Sequence, residues 1–216
     1  MKIVAIDGPA GSGKGTIAEI LSKRCNLINI DTGATYRCVA LAVLNNNLNL
    51  EDTDKIIELS SKINIEFTPD NKVFLDGIDV TNKIRSKQVT SIVSPISSIV
   101  KVRENMVNLQ RKLASGNDVV MEGRDITTVV FPNANYKFYL DASLEERVNR
   151  RYKQYQEKGI DMSLEEIKEN IQKRDYNDMH KEVGSLIRTN EQVYIDSTNM
   201  TIDEVANKMI AIIEEW

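Results

Sequence analysis

The 216-residue chain is poor in the residues that build metal and disulfide frameworks. It has two cysteines, Cys25 and Cys38, and a single histidine, His180. Neither cysteine has a partner at metal-ligand spacing, which argues against a zinc site. Two lone thiols make no disulfide framework and suit a reducing compartment. Long apolar runs are also missing. Met1-Lys2-Ile3-Val4-Ala5-Ile6 meets Asp7 and Gly8 at once, too short for a signal-peptide core. Nothing approaches the ~20 apolar residues of a membrane-crossing helix. The expectation is a cytoplasmic protein. Excess positive charge is absent too: 28 Lys and Arg face 32 Asp and Glu, a net charge of −4. That argues against a dedicated nucleic-acid binder. With 41% hydrophobic and 28% charged residues, the chain is too apolar for disorder and too charged for a membrane protein. Its length can bury a sizeable core in one domain without disulfide or metal staples.

Five short apolar runs are present: Lys2–Ile6, Leu27–Ile30, Val119–Met121, Tyr136–Leu140 and Gln192–Ile195. Near-continuous rather than alternating, they read as strands buried on both faces. Helical patterns lie between them, so the expected class is α/β with a five-stranded parallel sheet flanked by helices. Each run ends in an acid, in order Asp7, Asp31, Glu122, Asp141 and Asp196. Open α/β sheets bind ligands beyond the carboxyl ends of their strands, so these acids border a candidate site. Asp also simply stops strands, the preferred reading for Asp141 and Asp196. Ser143, Ser163 and Thr201, each with Glu three residues on, fit capping boxes. Ser94-Pro95 reads as an N-cap followed by Pro at the first helical position. Between Lys62 and Arg85, alternation around Pro69-Asp70-Asn71 and Asp76-Gly77 predicts a small antiparallel meander of three strands.

The strongest motif is Gly8-Pro9-Ala10-Gly11-Ser12-Gly13-Lys14-Gly15-Thr16. It follows a predicted buried strand and opens a helix over Ile17–Arg24, the context a phosphate-binding loop requires. Its four glycines permit backbone conformations closed to other residues. Successive N–H groups can then cradle phosphate oxygens, with the helix dipole and Lys14 adding positive charge. The hydroxyl usually found directly after the Lys comes one residue later, at Thr16. No Asn-Lys-x-Asp segment reads guanine: Lys83 follows Asn82, but Arg85 stands where the Asp would be needed.

Further motifs carry a resemblance. Asp31-Thr32-Gly33-Ala34-Thr35-Tyr36-Arg37, Glu122-Gly123-Arg124-Asp125-Ile126, Arg174-Asp175-x-x-Asp178 and Asp196-Ser197-Thr198 together resemble the boxes of bacterial cytidylate kinases, within the P-loop nucleoside monophosphate kinases. The resemblance runs from about residue 2 to about residue 213. It implies that Gly8–Thr16 bind ATP, with Mg²⁺ held by nucleotide phosphates and water rather than directly by protein. It further implies that Arg37 and Arg124 hold the acceptor phosphate, with a hydroxyl from Thr32. Planar guanidinium forks suit that dianion. Ser94, Arg103 and Asp125 would read cytosine, Asp125 accepting from the exocyclic amine. Ser94 can equally be only a helix cap. Arg174 and Asp178 would bond the ribose, although residues four apart on one helix face also make structural pairs. The family usually has Arg where this chain has Lys181, which keeps charge and reach but loses the fork. The family's Pro-Leu is altered to Ser185-Leu186.

Arg147, Arg150, Arg151 and Lys153 form a basic cluster where the family carries a mobile lid. Lid arginines would stabilise the migrating phosphoryl and exclude water. Helical face and resemblance favour Arg147 and Arg151 over Arg150 as catalytic groups beside Lys14 and Arg124. The implied division is a single kinase domain, 1–216. Its core spans about 1–35, 115–145 and 185–216, its monophosphate region with the β insert about 36–114, and its lid about 145–165. The resulting expectation is ATP-dependent phosphorylation of CMP and dCMP by a monomer, with no membrane or nucleic-acid partner. A kinase of another monophosphate or small metabolite is the alternative, and a regulatory ATPase a remote one. His180, expected to be exposed, plays no part.

Overall fold

The computed structural model describes residues 1–157 and 159–214. Five parallel strands form the central sheet: β1 (Ile3–Asp7), β2 (Ile28–Asp31), β6 (Val119–Gly123), β7 (Tyr136–Asp141) and β8 (Val193–Asp196). Their order is β2-β6-β1-β7-β8, so β1 is central, and every residue of it is buried. Alternate side chains go to opposite layers, as the period of a strand dictates. Val4 and Ile6, with Phe138 and Leu140, pack on Ile17 and Leu21 of α1 (Lys14–Cys25) and on Val205 and Met209 of α8 (Ile202–Glu214). Ile3 and Ala5, with Val119 and Met121, pack on Val107 and Ala114 of α5 (Val100–Ala114). Full burial of a large aliphatic or aromatic side chain such as Phe138 contributes about 1.5–3 kcal/mol. The register sets Asp7 beside Gly123 and Asp31 beside Glu122, so the expected acids finish level along one edge.

Three helices and a small sheet fill the interval between β2 and α5. They are α2 (Thr32–Asn45), α3 (Thr53–Lys62) and α4 (Lys87–Ser98), with the antiparallel sheet β3 (Ile65–Phe67), β4 (Val73–Leu75), β5 (Ile78–Asp79). The meander is therefore present, with Asp76 and Gly77 at positive φ, as a two-residue hairpin turn demands. Its Ile65, Val73 and Leu75 share a core with Val39 of α2 and Met106 of α5. After β7, α6 (Leu144–Glu157) and α7 (Leu164–Met179) form a helical hairpin packed through Val148, Ile167 and Ile171.

Two local expectations need correction. Pro95 does not open a helix. Ser86 caps α4 by accepting the Val89 N–H, and Pro95 lies inside the helix's last turn. Proline there removes the bond to Ser91 O, and the chain breaks after Ser98 before restarting as α5. The capping box at Ser143 is half made. Ser143 Oγ accepts the Glu146 N–H, but the Glu146 carboxylate goes to Arg150 instead of back to Ser143. The boxes at Ser163 and Thr201 are complete. His180 comes directly after α7, exposed, with its ring 4.1 Å from that of Tyr176.

Candidate active site

The loop Gly8–Gly13 leaves the carboxyl end of the central strand and runs into α1. Gly13 caps the helix in the left-handed region, at φ 94, where a side chain would be strained. The first hydrogen bond to Gly13 is from Ile17, so the N–H groups of Lys14, Gly15 and Thr16 precede the helical ladder. No acid stands in the first turn, which leaves the positive end of the dipole open to an anion. Lys14 is buried and donates to Pro9 O at 2.8 Å and Ser12 Oγ at 3.3 Å. Burial holds its ammonium well below the ordinary lysine value, and Arg124 pushes the same way. The negative charge of a bound phosphate would oppose both effects.

One loop residue departs from expectation. The Ala10 N–H is not free for phosphate, because it donates to Asp175 Oδ1 at 2.9 Å. Its carbonyl accepts from Arg147 Nη1 at 2.9 Å, and Arg147 also pairs with Asp175. Arg147 is buried, with a further bond to Ala142 O. Its guanidinium is committed to the loop's outer wall and is not the free lid group that its basic neighbours suggest. Arg150 reaches Ser12 O and Ser197, bracing the loop against the end of β8. Arg151 is half-buried and lies over Tyr155, with no ion-pair partner among the described residues.

Opposite the loop, the end of β6 carries Glu122, Arg124 and Asp125. Asp7, at the end of β1, fixes the turn after Asp125. Its buried carboxylate accepts from the N–H groups of Ile126 and Thr127 and from Thr127 Oγ1. Burial raises Asp7 despite these bonds. Gln192 donates to the same Thr127 hydroxyl and ties the turn to β8. A single π-helical turn, Ile126–Val130, results. Neither Thr127 nor Gln192 stands in a motif that marks it. The strand-end position of Asp7 is the one available signal.

Arg124 donates through Nε to Asp178 at 2.7 Å, and Lys181 donates to the same carboxylate at 2.9 Å. Lys181 thus fills its place as a partner of Asp178, and it also reaches Ser97 of α4. Burial alone would raise Asp178, but Arg124 and Lys181 overcome it and hold the carboxyl at about 2. Arg174, on α7, is exposed to solvent yet surrounded by much protein. That crowding, then Arg124, push it down to about 10, with Arg37 and Arg151 adding to the effect. Arg37, Arg124 and Arg151 thus lie near Arg174, and Arg124 and Arg174 lie near Lys14. Arg37 is half-buried and donates to Thr90 at 2.9 Å. Thr32, buried at the start of α2, donates to Glu122 O at 2.8 Å.

Deeper in, Arg103 and Asp125 form a buried ion pair. Arg103 also donates to Ser97 O and lies 5.3 Å from the Tyr36 ring centroid, and its Nε has no partner among the described residues. Ser94 is exposed on α4, and its carbonyl rather than its hydroxyl is used, by Ser97 and Ser98. Gly184, at φ +70, sits directly on the Arg103–Asp125 pair, where a Cβ would overlap both side chains. No motif in the sequence singles out Gly184.

A parallel sheet with a phosphate loop after its central strand, facing a cluster of arginines, defines a P-loop phosphotransferase. The comparisons narrow the class. The sequence profile of the cytidylate kinase family matches residues 4–215, and the chain belongs to that family. It is 44% identical to the cytidylate kinase of Fusobacterium nucleatum subsp. nucleatum, over 99% of this chain and 97% of that one. It is 46% identical to the cytidylate kinase of Desulforamulus reducens, again over 99% and 97%. The structure is similar to a shikimate kinase from Bacteroides thetaiotaomicron, with a TM-score of 0.50, 10% identity, and 99% and 98% of the two chains covered; that likeness concerns the fold alone.

Proposed function

We propose that the chain transfers the γ-phosphoryl of Mg·ATP in line to a 5′-phosphate oxygen of CMP or dCMP, giving ADP and CDP or dCDP. One observation carries the reading: Arg37, Arg124, Arg151 and Arg174 lie near one another, Arg124 and Arg174 also beside Lys14, and their like charge adds to the burial that lowers Arg174 to about 10. Like charges gather at such cost where anions will be bound. A loose transition state asks mainly for positioning and charge neutralisation, which this cluster supplies.

The donor phosphates would lie on Gly8–Thr16, with Lys14 released from Pro9 to meet them. Arg37, Arg124 and Arg174 would hold the acceptor phosphate. For Arg174 its surroundings favour that role over the ribose contact implied by resemblance. Asp178 orients Arg124 and Lys181. Arg151, with its guanidinium uncommitted, is the better candidate for the moving phosphoryl, and Arg147 becomes a positioning residue. No general base is required, since a phosphate monoester with second pKa of ~6 is largely a dianion near neutrality. Asp125 and Arg103, opening from each other, would meet the amine and the acceptor atoms of cytosine, with Ser94 at the rim. Mispaired bases would leave these buried groups unsatisfied.

The residues present fit a magnesium ion carried in on the nucleotide. Thr16 exposes its hydroxyl at the start of α1, and Glu122 Oε1 lies 3.5 Å from where a Cβ on Gly15 would stand. When bound, such an ion would supply neutralisation of the phosphate charge. Nucleotide phosphates and water would hold it, with Thr16 bonding phosphate. Among the described residues no group of three or more His, Cys, Asp or Glu could hold a metal. No helix described is long and apolar enough to cross a membrane. The reading carries with it a cytoplasmic monomer divided into core, monophosphate region (about 36–114) and lid (about 145–165). A coupled ADP-release assay across CMP, dCMP, UMP, AMP and GMP tests it. Turnover with CMP and dCMP is expected; turnover of AMP alone, or of none, contradicts it.

A further inference from the structure

We propose that Asp175 and Arg147 form a clamp on the Ala10 peptide that couples the monophosphate site to the phosphate loop. The inference rests on the functional reading above. Both ends of one peptide are held: the Ala10 N–H donates to Asp175 Oδ1, the Ala10 carbonyl accepts from Arg147 Nη1, and the two side chains pair with each other. All three residues are buried, at 2% exposure for Ala10 and 8% for each partner. Charged groups so buried are retained only when fully bonded, and this pair is bonded to backbone as well as to itself. The orientation of this peptide sets the path of Gly11–Gly13, on which the phosphates would lie.

The clamp's partners come from the two helices that carry the rest of the site. Asp175 sits on α7 directly after Arg174 and three residues before Asp178, which holds Arg124 and Lys181. Arg147 sits on α6 one turn before Arg151. The helices are locked together through Val148, Ile167 and Ile171. A shift of α7 on acceptor binding therefore carries the Asp175 carboxylate, and with it the Ala10 peptide. A shift of α6 brings Arg151 with it. Coupling between sites requires such a shared element, biased by both ligands.

The test measures CMP binding by calorimetry with and without a saturating non-hydrolysable ATP analogue and Mg²⁺. The wild type is expected to bind CMP at least about 5-fold tighter with the analogue present, a typical allosteric coupling. Asp175→Asn keeps an acceptor for the Ala10 N–H but loses the charge that holds Arg147. It is expected to bind CMP alone within about 2-fold of wild type while the coupling falls to about 2-fold or less. A purely structural role would lower the melting temperature and both affinities without changing their ratio. Arg147→Lys, which keeps the charge but not the fork, is expected to weaken coupling too, and it decides the matter if Asp175→Asn does not fold. Wild-type coupling in either folded variant, or no coupling in the wild type, overturns the clamp. Failure of the wild type to bind CMP at all overturns the functional reading instead, and the coupling with it.

Discussion

The donor and acceptor sides of the cleft are made of different material. The donor side is mostly backbone: the loop Gly8–Thr16, helix N–H groups and one lysine. The acceptor side is made of buried charged side chains paired across distant elements, Arg103 with Asp125 and Arg124 with Asp178. A backbone site rests mainly on local conformations and glycine spacing, with the Asp175–Arg147 pair on the Ala10 peptide as its one buried ionic brace. A side-chain site depends on which elements fold together, and removing one partner strands the other's charge in the interior. Damage should therefore stay chemical on the donor side and become both chemical and structural on the acceptor side.

Mutations can sharpen or break this contrast. Lys14→Ala should lower kcat about 10³-fold, the scale for losing a transition-state cation, with little change in melting temperature. A large loss of stability there would blur the distinction. Gly184→Ala should lower kcat/KM for CMP about 10- to 100-fold while leaving the KM of ATP unchanged, because the added Cβ strains a left-handed residue and crowds Arg103 and Asp125. Equal losses for both substrates would show that Gly184 serves the whole fold.

The acceptor side should also show in acid. Arg124 and Lys181 hold Asp178 at about 2, against 3.8 unperturbed. A carboxylate with a lowered folded value contributes stability that is complete above its unfolded value and disappears as pH falls towards the folded one. Comparing unfolding free energies of the wild type and Asp178→Asn between pH ~4 and ~2 should reveal a wild-type loss of about 2 kcal/mol that the variant lacks. Parallel curves would mean the pair contributes nothing. The smallest effect concerns α4. Ser86→Ala should cost about 1 kcal/mol as a lost cap, and Ser94→Ala under about 0.5 kcal/mol. Chemical denaturation reads both, and the reverse order would restore Ser94 as the cap.

Much of this architecture is legible in the order of the amino acids. The apolar runs mark all five strands, each finishing on or beside its acid, but only β1, β6 and β7 are largely buried on both faces; β2 and β8, at the sheet edges, are partly exposed. The meander is visible in its two turns. Two local readings give way to competing contacts. Local preference puts a helix start at Ser94-Pro95, while the Ser86 hydroxyl, accepting the Val89 N–H, caps the helix earlier in the chain. Glu146 answers Arg150, one turn on, rather than its own cap. Arg147 looks like a free lid residue because its partner, Asp175, lies 28 residues away on another helix. Gly184 has no signal at all, since its importance lies in what packs beneath it. Resemblance supplies Arg37, Arg124 and Asp125 as a set. Their spacing alone does not distinguish them from surface charges.

The central claim is that Asp125 reads the acceptor and takes no part in donor binding. Measuring kcat/KM for CMP and the KM of ATP in Asp125→Asn tests it most directly, the amide preserving shape beside Arg103. A fall of about 10²-fold or more for CMP is expected, with the KM of ATP within about 2-fold of wild type. Unchanged CMP turnover, or equal damage to both substrates, would contradict it.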